Sequence, residues 1–475
     1  MSVKLENEKE KTSRLAQWGL NEAAIDKLGD RLRQYHQRYR DLMKTKTRDT
    51  SEYGYHYLSG LLRMESKRHI NGIARVAGIA EQNLQQFITD SPWSGEDLIS
   101  VLQQDIGYLP HYQQGSVLIA DESAEAKAGE NSAGSSRQHN GRLGKVEMSQ
   151  VGVFLALAKD GSRTWIDGEL YLAEKWFTQA YKQRRKKLKI PEERKFQTKL
   201  ELALVMVERV LENGVPFAAF DCDTFYGRSG WLRDELNQLG VQYYADIPCN
   251  TTLYLEKPQV IKEQKRKHYQ ITILGHSTTA AGLLAELPFT EITIRPHERG
   301  YLTAQFARRL VWTVRQDGRC CQEWLLIRKD KHKVTYSLSN ASLDTDLWTM
   351  ARHKSHRYFI ERANQDAKSE LGWDEFQAQK YPAWVHHLAL TIMASAFITE
   401  TLLDWADQYP PDPALLSEYE TDRLPNLSIV NVRTLLRAAL PLPQLSSREA
   451  AELVIKHLDN RTRSRKSRLR KARSP

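Results

Sequence analysis

The 475-residue chain predicts a multidomain α+β fold, and three observations carry that expectation. Apolar residues recur at three- and four-residue spacing from Leu15 to about Ile106, the period of amphipathic helices. Short β-branched runs then alternate with helical stretches to about Pro248. From Cys249 to Asp346 such runs are joined by hairpin signals, with no long helix-period segment between them. A chain of this length exceeds one compact core. The pattern changes are therefore read as boundaries: a helical domain over 1–110, a mixed core over 111–248 that resumes at 347–408, a β-rich insertion over 249–346, and a C-terminal region with a basic tail over 409–475.

Composition narrows the function classes. A hydrophobic share of 41% is enough to bury real cores. No run of about 18 apolar residues marks a membrane span, and MSVKLENEKEKTSRL has charges where a signal peptide needs an apolar stretch. An intracellular soluble protein is the expectation. Cys222, Cys249, Cys320 and Cys321 form no CxxC pair and have no His at zinc-finger spacing, so free thiols are expected. The net charge of +10, with a pI near 9.2, points to a polyanionic partner. NRTRSRKSRLRKARSP, from Asn460, has bases at almost every second position and almost nothing apolar, which predicts a disordered arm that neutralises phosphates.

Within the helical region, RHINGIARVAGIAEQNLQQFI (Arg68 to Ile88) reads as a helix, a turn at Gly78 and a second helix. In a helix-turn-helix the second helix enters a major groove. Arg75, Glu81, Gln82, Asn83 and Gln86 carry groups able to reach phosphates or base edges, although plain helical bundles use the same layout. The strand GSVLIADES comes next and ends in Asp121 and Glu122. A Gly- and Ser-rich connection leads to QVGVFLAL and TWIDGELYL, a candidate antiparallel meander. After the basic loop KQRRKKLKIPEERK come the helix FQTKLELALVMVERVLENG, the strand VPFAAFDCD, the helix SGWLRDELNQLG and the strand VQYYADIP. The insertion contains a hairpin around Asp317-Gly318. Helical pattern returns at Asp346, stops near Gly372, and resumes from Pro382 until YPPDP marks a boundary.

Two strands thus end in acids, Asp121 and either Asp221 or Asp223, and the late helix RYFIERANQDAKSE contributes Glu361. Phosphoryl-transfer sites need hard oxygen ligands converging from separate rigid elements to hold two Mg²⁺ ions about 4 Å apart. A lone strand-end Asp is usually a turn former or a helix cap, so the combination carries the argument. At 100° per residue Arg357, Glu361 and Lys368 share one edge of the apolar face, whereas Asp366 and Glu370 fall on the other flank. A Glu between two cations at the border of the core is placed to face a cleft; an amphipathic edge with local ion pairs is the competing reading.

These residues carry a resemblance. IADES around Asp121, SRQHNGRLGKVEMSQVGVF after it, DTFYG at Asp223 and IERANQDAKSELGWDEFQ from Ile360 are similar, in order, to the DDE transposases of bacterial insertion sequences, the branch whose ribonuclease H-like core has a large β-rich insertion. The resemblance implies that Asp121, Asp223 and Glu361 are the catalytic, metal-binding acids, with Asp221 the less favoured second acid. It also implies a signature of Tyr, Arg, Glu and Lys, here Arg357, Glu361 and Lys368, with Lys354 standing where the family has its Tyr. The function so implied is cut-and-paste transposition with two Mg²⁺ ions, Mn²⁺ substituting. The partners are double-stranded DNA, both terminal inverted repeats and target, and a second copy of the chain in a synaptic complex, with no membrane and a bacterial, nucleoid-associated cytoplasmic setting. Arg357 and Lys368 would bind phosphates near the cut, Arg137 and Lys145 would do so from the Gly-rich connection, and Arg75, Gln82, Asn83 and Gln86 would read the ends. A catalytically silent DNA-binding regulator derived from such an enzyme, or a ribonuclease H-like nuclease, are the alternatives.

Overall fold

The computed structural model describes residues 14–466 apart from 142, 266–267, 298–299, 332, 444–445, 450, 453, 456–457, 460–461 and 464. The leading helices include α1 (Leu28–Tyr39), α2 (Ser51–Arg63), α3 (Ile70–Val76), α4 (Glu81–Thr89) and α5 (Gly95–Tyr108). Each forms on its apolar period; α1, for instance, buries Leu28, Leu32, Tyr35, His36 and Tyr39. The start of α5 is fixed by Ser94, whose side chain accepts the Asp97 amide at 3.0 Å.

The sheet begins with β1 (Val117–Ala126), β2 (Ser136–Asn140), β3 (Lys145–Lys159) and β4 (Ser162–Leu170). β3 pairs antiparallel with β1 on one side and with β4 and β2 on the other. β2 lies in the Gly- and Ser-rich connection, where the sequence reading has no strand. Its pairing is polar: Gln138 donates to the Ser149 carbonyl at 2.9 Å and Asn140 to the Ser149 hydroxyl at 3.0 Å, so no apolar alternation announces it. Helix α6 (Lys199–Glu212), opened by a reciprocal Thr198–Glu201 capping box, leads to β5 (Ala219–Cys222). Helix α7 (Gly230–Gln238) then leads to β6 (Tyr243–Ile247). β5 lies parallel to β1, and β6 parallel to β5.

The later strands are β7 (Thr252–Tyr254), β8 (Gln259–Lys265), β9 (His268–Leu274), β10 (Ser277–Thr279), β11 (Thr290–His297), β12 (Gly300–Val314), β13 (Cys320–Lys329) and β14 (Val334–Ser339). β14 pairs antiparallel with β6, so these strands prolong the same sheet; β8 and β9 form a separate ribbon. The chain returns through α8 (Leu347–Lys354), α9 (Tyr358–Ser369), α10 (Tyr381–Gln408) and α11 (Ile429–Ala439). The described residues from Ser447 to Asp459 are helical, and so are Thr462, Arg463, Arg465 and Lys466 of the arm from Asn460 that composition predicts to be disordered. Ala, Leu, Glu, Lys and Arg are strong helix formers, and Arg448 pairs with Glu452 one turn on. The remainder of that arm and residues 1–13 lie outside the described residues.

A continuous apolar core runs from Leu28 to Leu436 and joins the leading helices to β1, β3 and β4 through α10. At 28 residues, α10 is long and apolar enough to cross a membrane, yet 72% of its most apolar window is buried inside the protein, as in a core helix. Its His387 lies between Trp373 and Phe376, with ring centroids at 4.8 and 4.5 Å. His387 Nε2–H donates to the Trp373 carbonyl, so Nδ1 accepts from the Tyr57 hydroxyl at 2.9 Å and the ring is neutral.

Burial pulls His387 down to about 3 and His36 to about 4. With folded values below the unfolded 6.5, the unfolded chain takes up protons first as pH falls. The stability these rings contribute is therefore complete above about pH 6.5 and is lost as pH falls from there toward the folded values. Urea unfolding should show a loss of about 1.4 kcal/mol per pH unit for each ring near pH 5. His387→Gln, which keeps a donor and an acceptor, should make the dependence shallower; an unchanged slope would refute this assignment.

Candidate active site

The aspartates lie on β1 and on, or just after, the parallel strands beside it. Asp121, expected at the tip of its strand, is not at the end, because pairing with β3 carries β1 on to Ala126. Asp121 sits midway along β1, opposite Phe154, and its Oδ1 accepts the Glu122 amide at 2.8 Å. Asp223 comes directly after β5 and caps the single turn Thr224–Gly227, accepting the Phe225 and Tyr226 amides at 2.9 and 3.3 Å. Gly227 in that turn is required by packing: a Cβ there would stand 2.1 Å from the Asp246 carbonyl oxygen, so only glycine lets the turn abut β6. Tyr226 closes the unit by donating from its hydroxyl to Glu122 at 3.1 Å, and Lys199 donates to the same carboxylate at 2.9 Å.

Glu361 comes from α9, whose Phe359, Ile360, Ala363 and Ala367 are buried where the helix packs on β1, β3 and β4. That seat is specified at several points. Trp165 stacks on Phe154 at 4.2 Å and donates to Asn364 at 2.9 Å, and Arg163 donates to Asp366 at 2.8 Å. At the C-terminal end of α9, the buried Arg68 donates to the carbonyls of Ser369 and Glu370 at 2.9 and 2.6 Å and to Glu375 at 2.8 Å. The orphan carbonyls of a helix end are thereby satisfied by a side chain from just ahead of α3. Gly372, at φ +70°, turns the chain beside it.

One guanidinium connects the acids. Arg357 lies 3.1 Å from Glu361, 3.6 Å from Asp246 and 3.9 Å from Asp121. Its Nη1 is buried without a hydrogen-bond partner. Burial opposes its charge, but the surrounding carboxylates outweigh that and raise its pKa. Burial also pushes Asp121 up to about 7, against the pull of Arg357 and with added repulsion from Asp223. Asp223 is raised chiefly by burial, opposed by its two amide donors and Arg357.

Beneath this lies a buried ion cluster. Lys354 donates to Asp221 at 2.9 Å and lies 3.1 Å from Asp246, and Ser337 donates to Asp246 at 2.6 Å. Asp221 is thus engaged inward, whereas Asp223 stands at the rim. Asp246 is the residue that the sequence reading missed. It stands near the end of the run VQYYADIP as Asp121 and Asp223 stand near the ends of GSVLIADES and VPFAAFDCD, so the same rule would have found it.

The other expected contacts are dispersed. Lys368 pairs with Glu125, four residues beyond Asp121 on β1, at 2.6 Å. Asp366 and Glu370 point elsewhere, to Arg163 and to Arg433. Arg137 and Lys145 are on the β2–β3 hairpin, which projects past the end of β1; Arg137 is exposed and Lys145 lies 3.1 Å from Glu147. Arg75, Gln82, Asn83 and Gln86 are exposed on α3 and α4, while Leu84, Phe87 and Ile88 of α4 pack inward. These four are not brought to the acids.

The donor chemistry suits a hard divalent cation, since carboxylate oxygens from three elements surround a single positive group. The gathering is incomplete: among the described residues, no three of His, Cys, Asp and Glu are placed to hold an ion. Glu361 is 57% exposed and leans on Arg357.

Residues 39–273 match the DDE superfamily endonuclease family, a span that includes Asp121 and Asp223 and ends before Glu361. The chain is also similar to a probable transposase for insertion sequence element IS701 of Microchaete diplosiphon, 24% identical over 316 residues, or 65% of this chain and 72% of that one. Taken with the acids carried by neighbouring strands of a large mixed sheet, these matches support an insertion-sequence DDE transposase.

Proposed function

We propose that the protein binds the ends of its insertion sequence and catalyses metal-dependent DNA strand cleavage and strand transfer, with Asp121, Asp223 and Glu361 as the metal-binding acids. The observation that carries this reading is Arg357, a half-buried cation set among carboxylates from β1, β6 and α9. The order β4-β3-β1-β5-β6, three antiparallel strands and then two parallel ones, supports a ribonuclease H-like core. Asp121, Asp223 and Glu361 would hold Mg²⁺ or Mn²⁺, which would supply the charge that activates an attacking oxygen and stabilises a leaving one. The side chains do the rest. Glu361 swings from Arg357 toward the aspartates, and the released guanidinium takes non-bridging oxygens of the scissile phosphate. Lys368 holds a second phosphate from the next turns of α9, and Arg137 and Lys145 meet the duplex on the projecting hairpin. Arg75, Gln82, Asn83 and Gln86 read the terminal repeats, and two copies of the chain hold two ends.

The test is nicking of a duplex that carries the terminal sequence flanking the gene, with Mg²⁺, with Mn²⁺ and with EDTA. Cleavage is expected with either metal and none with EDTA. Because Asp121 is pushed up to about 7, protons compete with the cation, and the Mg²⁺ needed for half-maximal nicking should rise as pH falls below that value. Tight, sequence-specific binding with no cleavage under either ion would instead favour a silent, DNA-binding descendant of a transposase.

A further inference from the structure

We infer that the segment 182–195 is a phosphate track that guides the duplex from the two-helix element to the acids; the inference rests on the transposase reading. Over these positions the chain has eight bases against two acids. The bases divide into two sets. Arg184, Arg185, Lys189 and Arg194 face the protein. Arg184 lies over the rings of Trp176 and Tyr181 at 5.7 and 5.6 Å and donates to Glu130 at 3.0 Å. Arg185 lies over Phe177 at 5.4 Å, Lys189 pairs with Asp90 at 2.6 Å and Arg194 with Glu169 at 2.8 Å. With Trp176 fully buried and the Leu188 carbonyl accepting the Tyr381 amide at 2.9 Å, these contacts fix the backbone. Lys182, Lys186, Lys187 and Lys195 form the second set. All four are exposed, and none of their ammonium groups has an ion pair or a hydrogen-bond partner among the described residues. A merely solubilising run has no need of aromatic and ionic anchors beneath it. A surface that docks a stiff polyanion does, because each ammonium must be held near a fixed phosphate.

Position gives the track its direction. Asp90, the partner of Lys189, is the C-cap of α4, the helix that exposes Gln82, Asn83 and Gln86. At the other end the segment runs into α6, whose first-turn Lys199 donates to Glu122, next to Asp121. β4 leads into the region with Leu170 aligned on Gly152, and Gly152 on Ser123, two residues past Asp121. Lys182 and Lys186, one helical turn apart, share a face.

The test is a Lys182→Gln, Lys186→Gln, Lys187→Gln protein, with Lys187→Gln alone as the milder variant. Anisotropy would track its binding to a duplex of about 40 base pairs bearing the flanking terminal sequence, over roughly 50–200 mM salt. Each phosphate contact contributes about 0.9 to the slope of log K against log salt, so the slope should fall by about 2–3 in the triple variant and about 1 in the single one. Ethylation interference should be lost at phosphates between the repeat-reading site and the cut. Slopes unchanged in both variants, with binding retained, would overturn the track. Wild-type protein that binds with a steep salt dependence but never nicks counts against the catalytic reading alone; wild-type nicking with unchanged variant slopes counts against the track alone.

Discussion

Asp121→Asn and Glu361→Gln proteins are expected to lose at least about 10²–10³-fold in Mg²⁺-dependent strand cleavage, the scale on which removal of one preorganised electrostatic group acts. Both changes preserve shape. Asparagine at 121 keeps an oxygen for the Glu122 amide, 2.8 Å away, and Glu361 is more than half exposed, so neither should unfold the protein. What disappears is one negative charge at the place where a cation and a phosphate are to meet. Asp223→Asn extends the test, because Asn caps a helix about as well as Asp. A comparable fall there would separate metal binding from the capping of Thr224–Gly227. End binding, measured on the same duplex, should stay within a few-fold of wild type. Full cleavage by either of the first two proteins would sink the assignment of the acids.

Much of this site can be read in the sequence because its logic is local. A strand is recognised from a handful of β-branched residues, and an acid that follows the run is visible without knowing its neighbours, although β1 itself continues past Asp121 to Ala126. Helical phase likewise separates Glu361 from Asp366 and Glu370, which in the fold pair with Arg163 and Arg433 on other elements. What stays hidden depends on long-range partners or on polar pairing. β2 is held through Gln138 and Asn140, residues that carry no strand signal. That β14 pairs with β6 and prolongs the sheet depends on which edge the chain returns to, and no local pattern encodes it. The cap that Arg68 places on α9 joins residues about 300 positions apart, so neither partner announces the other. Asp246 differs from these, since the strand-end rule that finds Asp121 applies to it equally.

Lys354→Met should be the most destabilising of these substitutions, at about 3–5 kcal/mol, because it strips the cation from a buried ion cluster. Asp221 is fully buried, and its Oδ2 already has no hydrogen-bond partner. Lys354 is its cation at 2.9 Å and also holds Asp246 at 3.1 Å. Burial works against the ammonium, yet the two carboxylates outweigh it and hold the lysine pKa above its usual value, so the charge is retained in the fold. Methionine fills similar volume but leaves Asp221 without its cation and facing Asp246, which keeps only the Arg357 cation, at 3.6 Å. A proton can relieve that repulsion. In the variant a carboxyl whose folded pKa lies above its unfolded value is stabilising only while protonated, so the deficit in urea unfolding should shrink as pH falls from about 8 to 5. The double variant Lys354→Met, Asp221→Asn removes one of the opposed charges and should recover much of the loss at pH 8. A deficit that stays constant with pH, or a double variant no better than the single one, would show that packing rather than charge fixes this position. Because Asp246 also steadies Arg357 at 3.6 Å, the double variant should cleave more slowly than wild type even where its stability is restored. Arg357 would then keep its charge but lose part of its aim, and the lysine at the family's tyrosine position would act on the acids through Asp246.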